Sequence, residues 1–413
     1  MKRILLPAVP AAVACLVLSP SARAAGTALD VQSGRATGMA AAVTAMVDDS
    51  SAIYFNPAGI AQGRSFDAEV GDTLIVPSIK FTSPQGSSTT TPFYVVPPLQ
   101  AYASGGLTDN FSIGVGIFTP YGQTLTWPSG WQGRSLLTSA QLATYDINPT
   151  IAYRAGPVRF GAGLQIVRGT VDLQRDIALP GGSYGSSELG GDAWGFGGNV
   201  GIQVEAVPKV LSFGAHYRSS VTLDFDGNAH FSGIPQTLAG TLHDQPASTR
   251  LVNPDTFAFG AAVRPTDRLA IEADVVYWGW NHMQSIDLKF PNDTSGQLSS
   301  SEPKNWKSVV NYHLGAEYTI NETWRVRGGV LYDPSPSPAS TLLPDLPDAD
   351  RLNFAVGGSY WHPSGLHVDV GYQLVVFLSN TSTAPQFPGD YSGFVNVLGV
   401  SLGYSSKAAA SAQ

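Results

Sequence analysis

The residues best suited by type to do chemistry in this chain are one lysine, three histidines and three aspartates. Lys307 stands in Asn305-Trp306-Lys307-Ser308-Val309-Val310-Asn311-Tyr312 and shares its parity with Asn311 and His313. That parity points its ammonium inward, where a wall acid such as Glu317 or Asp274 could neutralise it. His216, His313 and His367 also fall on polar faces, but no spacing ties any of them to a serine, so hydrogen bonding within a wall accounts for them. Asp345, Asp348 and Asp350 cluster as hard-cation ligands do, yet the spacing is not that of an EF-hand and Arg351 supplies a counter-charge, so a loop salt bridge is expected and no metal site. There is no Gly-x-Ser-x-Gly, no His-Glu-x-x-His, no P-loop and no Cys/His cluster. Neither catalytic residues nor a cofactor is expected, and enzyme chemistry is set aside.

The elements that must position these groups declare themselves by period. In 366–376 Leu366, Val368, Val370, Tyr372, Leu374 and Val376 oppose His367, Asp369 and Gln373. In 306–318 Trp306, Val310, Tyr312, Leu314 and Ala316 oppose Lys307, Asn311, His313 and Glu317. In 210–226 Phe213, Tyr217, Val221 and Phe225 oppose His216, Arg218, Asp224 and Asp226. A strand that is apolar on one face and charged at mid-length on the other lies between oil and something wet. A soluble sandwich has no reason to seat charges on nearly every strand, so the pattern predicts an all-β transmembrane barrel. Fourteen antiparallel strands are expected, at 66–82, 93–108, 111–119, 143–155, 157–173, 191–206, 210–226, 250–265, 267–281, 305–320, 322–333, 351–362, 365–377 and 392–404. Short turns alternate with long loops, and the even count suits an outer-membrane barrel.

The ends differ from the middle. Lys2 and Arg3 precede a short apolar run, and Ala22-Arg23-Ala24 reads as a cleavage site, so 1–24 is expected to be a signal peptide carrying the single cysteine, Cys15. Without Lys2, Arg3 and Arg23 the chain keeps 20 basic residues against 31 acidic ones, a balance of −11 that excludes nucleic acid as a partner. Residues 25–65 lack a strand period. The Ala-rich run Gly38–Met46 predicts a short helix, Asp48-Asp49-Ser50 could cap a second turn through Tyr54, and Asn56-Pro57-Ala58-Gly59 stops it; together they could plug the barrel of 66–404. Ser405–Gln413 is expected to be a disordered tail. The Gly/Ser/Thr-rich loop at 120–142 also carries Trp127, Trp131, Leu136 and Leu137, an expected apolar landing site.

The stretch Asp48–Gly59, with Ile147-Asn148-Pro149-Thr150-Ile151-Ala152-Tyr153, Gly191-Asp192-Ala193-Trp194-Gly195-Phe196-Gly197, Tyr217-Arg218-Ser219, Asp333-Pro334-Ser335-Pro336 and Pro347–Arg351, resembles the FadL-type outer-membrane transporters over nearly the whole chain. The resemblance implies a fourteen-stranded barrel with an amino-terminal hatch and passive uptake of long-chain fatty acids, or alternatively of aromatic or alkane hydrocarbons. It implies a hatch that moves at Asn56, Pro57 and Ala58, and a lateral exit at a kink in the third strand, here Phe111–Thr119 with Gly114, Gly116 and then Pro120. It also implies a basic residue for the substrate carboxylate, which Lys307 would supply; Arg168 lies near a second such position, but its parity points to lipid. A hydrophilic porin is the rival, and the hatch-like segment argues against it. The expected surroundings are outer-membrane lipid and lipopolysaccharide, and the barrel is expected to act as a monomer.

Overall fold

The computed structural model describes residues 26–293 and 298–406; the leader and most of the tail lie outside these, apart from Gly26 onward and Ser405 and Ser406. Fourteen antiparallel wall strands close into a barrel. They are β1 (Phe66–Thr82), β2 (Leu99–Gly106), β3 (Phe111–Phe118, resuming as Gly122–Thr126), β4 (Ser139–Ala155), β5 (Val158–Ala178), β6 (Tyr184–Val207) and β7 (Leu211–Arg218, resuming as Val221–Ser232). Then come β8 (Gln245–Asn253, resuming as Thr256–Thr266), β9 (Leu269–Trp278), β10 (Val309–Thr319), β11 (Trp324–Asp333), β12 (Arg351–Trp361), β13 (Leu366–Ser382) and β14 (Gly389–Ser405). An outer hairpin, Ser285–Lys289 with Ser300–Pro303, joins β9 to β10. β14 returns to β1 in continuous register from Asp67↔Ser405 to Thr82↔Asp390, so the sheet has no free edge there. Closure satisfies the backbone inside the sheet, which is what a spanning strand in lipid requires.

The alternation gives the wall its two faces. Leu164 and Phe196 stand 63% and 71% exposed on the outside, while Arg327 is buried inside between Glu317 (2.6 Å) and Asp369 (2.7 Å). Two strands change face along their length, which the sequence period hides. β7 breaks at Ser219–Ser220, and past the break Val221 and Phe225 turn inward while Asp224 and Asp226 turn out. These four residues therefore do not keep the face that one uninterrupted strand over 210–226 predicts. β8 breaks beside it, at Pro254–Asp255, so that Phe257 faces out but Leu251 faces in. Below the breaks the barrel is greasy outside and polar inside; above them this corner is the reverse.

The hatch fills the lumen. Its helices are a single turn each, α1 (Gly34–Thr37) and α2 (Ala52–Phe55), followed by a 3-10 turn at Pro57–Ile60. The expected helix over Gly38–Met46 does not form. Ala40 and Ala41 take positive φ (51° and 60°), and the wall captures the backbone donors that a helix would use. Asp274 Oδ2 accepts from the N–H groups of Val43 and Thr44 at 3.0 Å each, and Glu272 accepts from Ala45 N–H. Three bonds to buried carboxyl oxygens outweigh the helix propensity of alanine.

Candidate functional site

Among the described residues, three cavities along the inside of the barrel bear on function. The outermost, about 150 Å³, is lined by the inverted corner: Val171 and Leu173 from β5, Leu189 from β6, Leu251 from β8, and Leu136 and Leu137 from the loop before β4. Its lining is aliphatic with a polar rim. Arg175 is the one cation lining it among the described residues. Two of the expected landing residues, Leu136 and Leu137, thus face this cavity. Trp127 and Trp131 do not: they stack on each other at 4.2 Å and are buried with Phe81, Leu125 and Tyr391, forming the packed shoulder of the loop.

Lys307 is not the inward cation. The strand begins only at Val309, Asn305 sits at φ 49°, and the Lys307 N–H bonds the loop carbonyl of Pro336 (3.0 Å), so the alternation does not extend back to it. Lys307 is exposed and lines none of the three cavities, while Trp306, expected on the lipid face, is buried against Trp280. The buried ammonium is Lys304, 1% exposed and held by Asp345 (2.6 Å) and Glu302. Both acids border the outer cavity, so this cation is already neutralised. Arg168 faces outward with Asp192 (3.4 Å) beneath the ring of Trp194. The aspartates of the 334–350 loop hold cationic side chains, Asp348 lying 3.7 Å from Arg351. Burial pushes the Asp348 carboxyl up to about 7.

A second cavity, about 110 Å³, sits between the hatch and the wall near β1, β3 and β13. Thr27, Gln123 and Leu346 line both it and the outer cavity, so those three side chains form the partition between them. The wall beside this chamber is incomplete. β2 pairs with β3 only from Ala101↔Ile117 to Gly106↔Ser112. Above that level residues 93–99 face 119–125 without a backbone bond among the described residues. Pro92, Pro97 and Pro98 lack the donors a ladder needs, and β3 is interrupted at Thr119–Tyr121, which are buried. The amino-terminal segment takes up the freed β3 groups: Leu29 N–H donates to Pro120 O (2.9 Å), Gly122 N–H to Thr27 O (3.0 Å) and Gln32 Nε2 to Thr119 O (2.6 Å).

The break therefore falls at 119–121 and not at Gly114 and Gly116, where β3 is paired on both edges. Those glycines serve the hatch instead. A Cβ on Gly114 or Gly116 would come within 3.0 Å of Ile53 of α2. Asn56 and Pro57 anchor the other side of the hatch. Asn56 Nδ2 donates to Thr44 O (2.9 Å) and Ile202 O (3.1 Å), its Oδ1 accepts from Ala58 N–H, and a Cβ on Gly201 would meet Asn56 Oδ1 at 2.1 Å. A third, 50 Å³ cavity lies under the break, lined by Tyr54, Tyr121, His216, His313 and Arg218 but by no serine. Arg218 is engaged there by Asp146 (3.0 Å) and the Tyr54 carbonyl (3.2 Å).

A closed fourteen-stranded barrel with a lipid-facing apolar belt, an internal plug and greasy internal cavities defines an outer-membrane β-barrel of the transport type. The profile of the family described as outer membrane protein transport protein (OMPP1/FadL/TodX) matches residues 15–406, and the chain belongs to that family. It is 27% identical to the long-chain fatty acid transport protein of Escherichia coli K12, covering 87% of this chain and 90% of that one. It is 26% identical to the 47 kDa outer membrane protein of Pasteurella multocida, covering 95% and 96%. In fold it resembles a FadL homologue of Pseudomonas aeruginosa (TM-score 0.83, 19% identity, 92% of this chain and 99% of that one). It also resembles the toluene transporter TbuX of Ralstonia pickettii (TM-score 0.70, 20% identity, 89% and 97%).

Proposed function

We propose that this protein takes up long-chain fatty acids or similar hydrophobic molecules passively. They are caught in the outer aliphatic cavity, pass the Thr27–Gln123–Leu346 partition when the hatch segment yields, and leave sideways between β2 and β3. The observation that carries the route is the unpaired wall at 93–99 and 119–125, backed by a chamber. Greasy solutes gain nothing from an aqueous pore, whereas a path from an aliphatic cavity into lipid spares them most of the exposure to water. The hatch anchors at Asn56, Pro57 and Ala58 would act as the fixed pivot, and the 27–32 segment as the moving part. Arg175 is the group that would meet a carboxylate, and it gives the fatty-acid reading its preference over hydrocarbons, which need no cation. The long-chain fatty acid transporters among the relatives agree with that preference; the solved toluene channels share the fold.

The test is uptake of labelled oleate and labelled toluene by cells that lack their own carrier and express this chain, with planar-bilayer recording of the purified protein. Oleate uptake with no steady conductance supports the reading. A large steady conductance would favour a porin, and uptake of toluene alone would favour the hydrocarbon channel.

A further inference from the structure

We infer that Tyr94 is the latch of the lateral opening, the side chain whose hydroxyl holds the wall shut between β2 and β3. The inference deepens the sideways-exit reading and rests on it. Across the whole unpaired stretch, the bond that crosses the opening among the described residues is Tyr94 Oη donating to the Thr124 carbonyl at 2.8 Å. Among the described residues, the other backbone bonds of the two lips run away from it. On the β2 side, Val96 exchanges both backbone bonds with Ile75 of β1 (2.9 Å each), and Thr91 N–H donates to Ile79 O. On the other lip, Gly122–Thr126 pairs with β4 and Thr119–Gly122 with the amino-terminal segment. Each lip is thus bonded to its own neighbours, and one phenol ties the two lips to each other.

The surroundings fit a door. Phe93 and Val95 flank Tyr94 and stand 81% and 44% exposed, so apolar side chains border the opening on its outer side. Tyr94 points the other way and lines the 110 Å³ chamber with Ile79, Leu125, Phe377 and Val395, and the paired Asp348 and Arg351 line it as well. Its ring is an apolar panel compatible with a passing hydrophobic solute, and its hydroxyl is the polar tip that finds a carbonyl left without a strand partner. Swinging the ring breaks one neutral hydrogen bond and no ladder. An opening held by a full ladder would resist; one held by a single phenol can yield to thermal motion.

The experiment reads opening directly. Cys15 is the chain's one cysteine and is replaced by serine; Leu125→Cys then places a thiol in the chamber, behind the door. A lipid-confined thiol reagent is applied to the protein in vesicles. Removing the hydroxyl with Tyr94→Phe should speed labelling of residue 125 by roughly two- to tenfold, the span of one neutral hydrogen bond. Labelling of Leu137→Cys, in the outer cavity, should not change with Tyr94→Phe. Equal labelling of residue 125 with and without the hydroxyl overturns the latch. In parallel, Val95→Cys and Thr124→Cys, which leave Tyr94 and the backbone carbonyl in place, are joined by a short bismaleimide, and oleate uptake is measured. Loss of uptake on bridging supports the exit whatever the labelling gives. Undiminished uptake overturns the exit itself, and with it the purpose of the latch.

Discussion

Two lysines three positions apart meet opposite fates. Lys304 is buried against two carboxylates, and Lys307 is exposed. Alternation read from the sequence selects Lys307, because a period of two cannot register that Asn305 turns through a positive φ and that the strand starts only at Val309. Arg175 carries no such signature either; it matters because β5 extends beyond the lipid belt and its inward face there borders an aliphatic cavity. Arg175→Gln should therefore weaken oleate binding about tenfold, the lower end for a charge-assisted bond because the residue is only half-buried, and leave toluene binding unchanged. Lys307→Met should alter neither. Calorimetry with both ligands in detergent checks this. Asp348 gives a pH prediction. Burial raises its carboxyl to about 7, so its share of the loop's stability is complete below the ordinary carboxylate range and is lost as pH rises through that value. Amides of the 334–350 loop should show lower protection, measured against their intrinsic exchange rate at each pH, at about pH 8 than at about pH 5, and Asp348→Asn should flatten that difference.

At the scale of elements, what the sequence announces well is the repeated strand and turn. Every expected strand corresponds to a wall strand, because alternation over about ten residues is forced wherever lipid meets one face. What it conceals are the breaks. Ser219–Ser220 and Pro254–Asp255 each shift the face by one position, which moves a greasy face from lipid to lumen without disturbing local composition. The hatch conceals itself for another reason: its Ala-rich run has helical propensity, but its donors go to Glu272 and Asp274, more than two hundred residues away in sequence. Replacing both with Glu272→Ala and Asp274→Ala removes the acceptor oxygens. Each of these buried bonds is worth about 0.5–1.5 kcal/mol, so the hatch should loosen while the barrel stays folded. The expected result is frequent ion-conducting openings in planar bilayers and faster proteolysis near residues 40–47, against a quiet parent protein. An equally quiet double variant would mean that the hatch is held elsewhere, for example by Arg35 with Asp48, Asp49 and Glu317.

For the molecule as a whole, the proposed route would use four parts in order: an inverted, aliphatic corner, a partition made by the amino-terminal segment and a loop, a chamber, and the unpaired stretch of wall. The inversion explains how a barrel with a polar lumen can still present a greasy site, and the plug explains why such a barrel need not leak. The central claim is that solute leaves through the side. The most direct measurement is photo-crosslinking of a diazirine-bearing fatty acid to the protein in native-like membranes, with the adducts mapped by mass spectrometry. The account predicts adducts on Leu136 or Leu137 in the outer cavity and on both lips of the opening, at residues 93–99 and 119–125. Adducts that run instead past the hatch to the periplasmic turns, with none on the lips, would contradict it.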